Sequence, residues 1–173
     1  MKLIKSYIQI IDRVNSKIGY YVSWLTGLLV LIVSFDVFTR YFLKESSVAV
    51  QELEWHIFAL IFLMGAAYTL KADEHVRVDI FYSRLSEKKK AWINFIGTLL
   101  FLIPFCVIII YASFDYVTSS FSIFESSPNP GGLPARYLLK AVIPISFFFI
   151  LLQGFSLLLK SLLVILNTSM EIE

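Results

Sequence analysis

The sequence predicts an all-α integral membrane protein: four transmembrane helices, an N-terminal amphipathic helix in the interface, and both termini cytoplasmic. Three observations predict it. The 173 residues are 58% hydrophobic and only 16% charged, where soluble domains carry about 45–50% and about 25%, so lipid is the expected solvent. Four apolar stretches are each long enough to cross a bilayer, which takes about 20 helical residues at about 1.5 Å per residue. Lysines and arginines crowd to one side of those stretches.

The first element is residues 1–18. Leu3, Ile4, Tyr7, Ile8, Ile11, Val14 and Ile18 recur at three- and four-residue spacing, and Lys2, Lys5, Asp12, Arg13 and Lys17 lie mostly off that stripe. The pattern predicts an amphipathic helix lying in the interface. The alternative is an extension of the first span into the cytoplasm. The apolar run after Lys17 is longer than a signal's apolar core and no small-x-small site follows it, so the first helix is expected to be retained.

Within a single membrane domain, 1–173, spans are predicted at about 20–39, 53–70, 91–113 and 138–159, their length favouring helix over strand. Ser46 and Ser47 precede the second span, and Ser86-Glu87 gives the third an N-cap and an acidic first turn. The run SSPNPGGLPARY delays the fourth helix until Pro134, a good first-turn residue.

Orientation follows from charge. Eleven of the 15 Lys and Arg fall in the N-terminal segment, between the second and third spans, and at Lys160. The other side holds Arg40, Lys44, Arg136 and Lys140. The excess of positive charge belongs in the cytoplasm, and both termini with it. A net charge of only +2 gives no electrostatic case for a nucleic-acid partner.

The spans lack working chemistry. A transport path is marked by ionisable residues deep in the membrane, where they are costly without a task. Asp36, Glu54 and His56 lie near the outer ends of their helices instead, and the fourth span offers only Gln153 between Lys140 and Lys160. No Gly/Pro pair breaks a helix around a substrate, and Pro104 and Pro144 are expected only to bend theirs. Cys106, the single cysteine, rules out an internal disulfide and a thiolate metal cage. His56 and His75 are about 28 Å apart along a helix, at opposite surfaces, too far for paired haem ligation. The segment DEHVRVD (73–79) lacks metal-ligand spacing, and no GxSxG, HExxH or P-loop occurs. No catalytic, metal, cofactor or substrate residue is expected.

What polar groups exist gather at one depth. Asp36 and Arg40 are four apart and share a helix face, and the second helix brings Glu52 to the same surface. A polar latch of Asp36, Arg40 and Glu52 is expected to tie the first hairpin together or to a partner; the alternative is a set of solvated interfacial side chains. Gly65, Ala66 and Ala67 predict close helix approach on the second span.

The stretch from Arg40 to Leu85 carries a signature. Arg40-Tyr41 follows the first helix, Glu52-Leu53 opens the second, and Gly65-Ala66-Ala67 comes thirteen residues later. His75 precedes the run Val76-Arg77-Val78-Asp79. In this order the chain resembles the small membrane (DctQ-type) subunit of tripartite ATP-independent periplasmic (TRAP) transporters over essentially its full length. GGLP before the fourth helix and Gln153-Gly154 within it look like one subgroup. Many members place a Trp before the acidic residue, whereas here Trp55 follows it.

The resemblance implies a multi-pass protein of the bacterial inner membrane that binds a large multi-helix membrane subunit. A periplasmic solute-binding protein delivers an organic acid, the large subunit carries it inward with sodium, and the small subunit enlarges the static scaffold. Together with the latch, it nominates Asp36, Arg40, Tyr41, Glu52, Gly65, His75, Arg77 and Asp79 as structural or interface residues, Asp36 on the latch alone. A stand-alone four-helix exporter and a membrane anchor for a redox enzyme are the competing readings.

Overall fold

The computed structural model describes residues 2–72, 82 and 85–166. Among them there is no strand. Helix α1 covers Lys2–Phe38 and runs on through a wide π-type turn, Thr39–Leu43. Helix α2 is Val48–Ala72, and α4 is Arg136–Ile165. Between them α3 covers Glu87–Ser122 and contains a second π-type turn, Thr98–Leu102. All four are long and apolar enough to cross a membrane, and each predicted span lies within one of them.

The two wide turns have local causes. Pro104 cannot donate to the helix ladder and its ring crowds the carbonyl four residues back, so the widened turn just before it absorbs the clash. The turn ending α1 closes on Lys44, whose φ of 58° is left-handed and whose N–H bonds Thr39 O, a helix-stop geometry.

The α1–α2 hairpin and the α3–α4 hairpin meet through α4, which lies against all three other helices. Lipid tails are as apolar as leucine, so helices in a membrane associate through close packing and hydrogen bonds. The buried residues of α4 accordingly include Ser146, Gly154, Ser156 and Ser161, and α3 answers with Thr98, Ser113 and Ser120. A Cβ on Gly154 would come within 3.1 Å of Leu102 Cδ2, which fixes how near α3 and α4 lie.

Two sequence expectations change here. Residues 2–18 are not a separate helix but the first turns of α1, unbroken into the span. Their stripe is real but splits: Ile8 and Ile11 are buried, while Leu3 and Val14 are exposed. The buried side carries Asn15, fully enclosed and bonded to α4, so the face is turned to protein. The second change concerns Gly65. A Cβ there would meet only Val22 Cγ1 at an ordinary 3.7 Å, whereas one on Gly19 would stand 2.5 Å from Tyr68 Cγ and 3.0 Å from Tyr68 Cβ. Those atoms lie at the root of the ring and cannot swing aside, so α1 and α2 approach more tightly at Gly19 than at Gly65.

Candidate functional site

Between the helix ends the spans are bare of ionisable groups. No Asp, Glu, Lys, Arg or His occurs in 18–35, 57–70, 91–114 or 141–159. The polar chemistry sits in two clusters at opposite ends of the bundle.

At the end holding the α1–α2 and α3–α4 connections, Glu52 of α2 is buried inside the connection that precedes α4. Its Oε1 accepts from Ser127 Oγ at 2.5 Å, with Asn129 Nδ2 at 3.4 Å and Arg136 Nη2 at 3.5 Å. Its Oε2 accepts from the Leu133 backbone N–H at 2.7 Å. The connection is shaped to admit it. Ser127 N–H bonds Leu133 O and Gly132 N–H bonds Asn129 O, both at 3.0 Å. Gly131 turns at φ +77°, and a Cβ on Gly132 would stand 2.9 Å from Glu52 Oε2. Arg136 also lies over the Trp55 ring at 5.5 Å, a cation–π contact, and its Nε is buried without a partner among the described residues.

Beside this plug, Glu125 accepts from Lys140 Nζ and, at 2.6 Å, from Ser120 Oγ. Those hydrogen bonds, Lys140's first, hold its carboxyl below the ordinary glutamate range. Arg136 N–H closes on Glu125 O at 2.8 Å, so the same segment is pinned at both its ends.

The expected latch does not form as a triad. Arg40 pairs with Asp36 one turn away on the same helix, and Glu52 turns to the other hairpin. Asp36 is 2% exposed and its Oδ1 has no partner among the described residues. Tyr41 is 75% exposed. Glu54 Oε1 is likewise buried and unpartnered, and His56 Nδ1 donates to Glu52 O at 2.5 Å. His75, Arg77 and Asp79 lie outside the described residues. Among the described residues no group of His, Cys, Asp and Glu is placed to hold a metal ion.

The opposite end holds a cluster the sequence reading did not assemble. Asn15 Nδ2 donates to Gln153 Oε1 at 2.6 Å, and Gln153 Nε2 donates to Asp12 Oδ1 at 3.0 Å. Asp12 also accepts from Ser156 Oγ at 3.3 Å and Lys160 Nζ at 2.6 Å. Tyr7 Oη donates to Leu152 O at 3.0 Å, and Lys71 Nζ reaches Ser16 Oγ at 2.9 Å. A signal was present: Gln153, Ser156 and Lys160 fall on one face of α4, and Asn15 falls in the stripe of Ile8 and Ile11.

Four membrane-crossing helices, stapled at both ends by polar side chains and empty of charge between, define a small multi-pass membrane protein. Residues 29–163 match the family model described as tripartite ATP-independent periplasmic transporters, DctQ component. The chain belongs to that family, and is a TRAP transporter small membrane subunit. The family is a transporter component rather than an enzyme family, and works with a large membrane subunit and a periplasmic binding protein. No curated protein matches the chain.

Proposed function

We propose that this chain is the accessory subunit of a sodium-driven importer of organic acids in the bacterial inner membrane, with both termini cytoplasmic. It docks on the large membrane subunit and enlarges the static scaffold against which the transport domain moves. A periplasmic binding protein captures the solute, and the substrate and sodium sites belong to the large subunit. The observation that carries this reading is the charge-free middle of every span: a solute or ion crossing there would find no group to bind. The two polar clusters are spent on ties within the chain, which suits a rigid support.

The test is extraction in mild detergent together with uptake. A much larger membrane subunit is expected to co-purify, and deletion of this chain is expected to abolish sodium-dependent uptake of organic acids. Solute flux driven by the isolated chain in sealed vesicles would overturn the reading.

A further inference from the structure

Among the described residues, four of the five buried serines bond within the chain. Ser113 and Ser146 donate to carbonyls of their own helices, and Ser120 and Ser156 to the carboxylates of Glu125 and Asp12. Ser161 of α4 is only 4% exposed, yet its hydroxyl has no partner among the described residues. Nor is its oxygen one of the unpartnered atoms that the protein encloses completely. It opens on a cleft of about 260 Å³ between the last turns of α4 and the first turns of α3.

The same cleft takes Lys160 from α4 and Lys90 and Asn94 from α3, with Tyr82 and Glu87 completing its polar lining. An ammonium carries three N–H groups. Lys90 directs one to Glu87 Oε1 at 2.9 Å, and Lys160 one to Asp12 Oδ2 at 2.6 Å. Two remain on each. Asn94 Nδ2 gives one N–H to Tyr82 Oη at 3.0 Å and keeps its second. Asp12 does not line the cleft, and the Glu87 side chain is 83% exposed to one side of it. Two helices thus converge on this space with donors. Their complement is an anion whose acceptor oxygens point in several directions, as a phosphate's do.

The height of the cleft says which phosphate. Helix α3 has no charged residue from Ala91 through Phe114, and Trp92, 47% exposed, is a side chain suited to headgroup level. Lys90 and its exposed neighbours Lys88 and Lys89 stand where hydrocarbon gives way to headgroups. Basic clefts between helices at that level suit anionic lipids. We infer that this cleft binds the phosphodiester of an anionic phospholipid, held by Lys90, Lys160 and the Ser161 hydroxyl. On the orientation proposed above it belongs to the cytoplasmic leaflet; the binding itself does not depend on that orientation. The side-chain bonds of Lys90 and Asn94 stay within residues 82–94, and those of Gln153 and Lys160 go to α1. The phosphate therefore joins α3 to α4 at an end where these side chains do not.

The experiment uses the full chain, purified in mild detergent and washed free of loosely held lipid. It is titrated with phosphatidylglycerol, phosphatidylcholine or inorganic phosphate. Native mass spectrometry reads the lipid bound, and thermal unfolding reads the stabilisation. Lys90→Gln and Ser161→Ala are the variants, because Lys160 also anchors Asp12. Lys89→Gln is the control, an equal change of charge outside the cleft. Phosphatidylglycerol is expected to bind and to raise Tm, and phosphatidylcholine and inorganic phosphate to do so far less. Lys90→Gln should weaken that binding about tenfold, Ser161→Ala should weaken it without any change of charge, and Lys89→Gln should leave it within about twofold. Equal losses in Lys89→Gln and Lys90→Gln, or equal binding of the two lipids, would reduce the effect to general surface charge and overturn the site. Stabilisation by inorganic phosphate equal to that by phosphatidylglycerol overturns the lipid assignment in favour of a free anion. A chain that neither retains phosphatidylglycerol nor gains stability from it has no such site.

Discussion

At the loop end of the bundle one carboxylate, Glu52, sits inside the segment before α4 and takes donors from two side chains, a guanidinium and a backbone N–H. At the opposite end two neutral amides, Asn15 and Gln153, meet between helices, with the Asp12–Lys160 pair beside them. The difference follows from what each end has to satisfy. A connection outside a helix leaves backbone N–H groups such as that of Leu133 without ladder partners, and an ionised acceptor bonds these best. Two helices have satisfied backbones, so only side chains can tie them. A neutral amide pair does so without burying a net charge. The family match adds an asymmetry: it covers residues 29–163, so Glu52 and its partners fall inside it, while Asp12 and Asn15 fall before it.

The comparison is broken most directly at Glu52. Glu52→Ala removes the acceptor of every one of those donors and leaves the half-buried Leu133 N–H without its partner. The expected outcome is the largest loss of thermal stability of any single substitution in either cluster, with new protease cleavage between residues 123 and 135. Glu52→Gln keeps an acceptor oxygen and should recover part of the loss. Thermal unfolding in detergent and limited proteolysis read both effects. If Glu52→Ala unfolds no earlier than Asn15→Ala, the loop end is not the stronger tie.

The neutral pair gives a smaller effect with a different signature. Asn15→Ala strands Gln153 Oε1 in a buried site, at a cost of about 1–3 kcal/mol. Replacing both, Asn15→Leu with Gln153→Leu, removes donor and acceptor together and should cost far less than the single changes imply. A double-mutant cycle on unfolding measures the coupling. Additive losses would mean that the two amides do not depend on each other.

How much of this was legible in the sequence varies with distance along the chain. The helices were legible because crossing lipid is a local requirement on length and apolarity. The stripe in residues 3–18 was legible too, but periodicity says that a face is covered and not by what, so Ile8 and Ile11 were assigned to the membrane interface when the fold itself buries them. Glu52 stood out as an acidic residue opening an apolar helix, yet its partners are 75 to 84 residues away, and no local pattern names them. Asp36 and Arg40, four apart, were paired correctly for the opposite reason. Gly65 was named for close approach because small neighbours surround it, and Gly19 was not named, while close approach depends on the opposing side chain, here Tyr68.

The finest discrimination comes from pH. The glutamate at 125 is held below its ordinary range by Lys140 and Ser120, so its ionised form is favoured by folding. A carboxyl with a depressed folded value contributes stability that is fully present above its unfolded value, about 4.3. That contribution is lost as pH falls through the folded value. The neutral amides of Asn15 and Gln153 do not titrate over that range. Acidification below about pH 4 should therefore loosen the 123–135 segment before the Asn15–Gln153 contact. Amide hydrogen exchange at Ser127, Gly132 and Arg136, whose N–H groups are bonded within the segment, measures it, with Glu125→Gln as the variant whose loop responds less. Equal acid sensitivity of that loop in Glu125→Gln and the unsubstituted chain would move the pH dependence away from Glu125, with Glu52 the next carboxylate to examine.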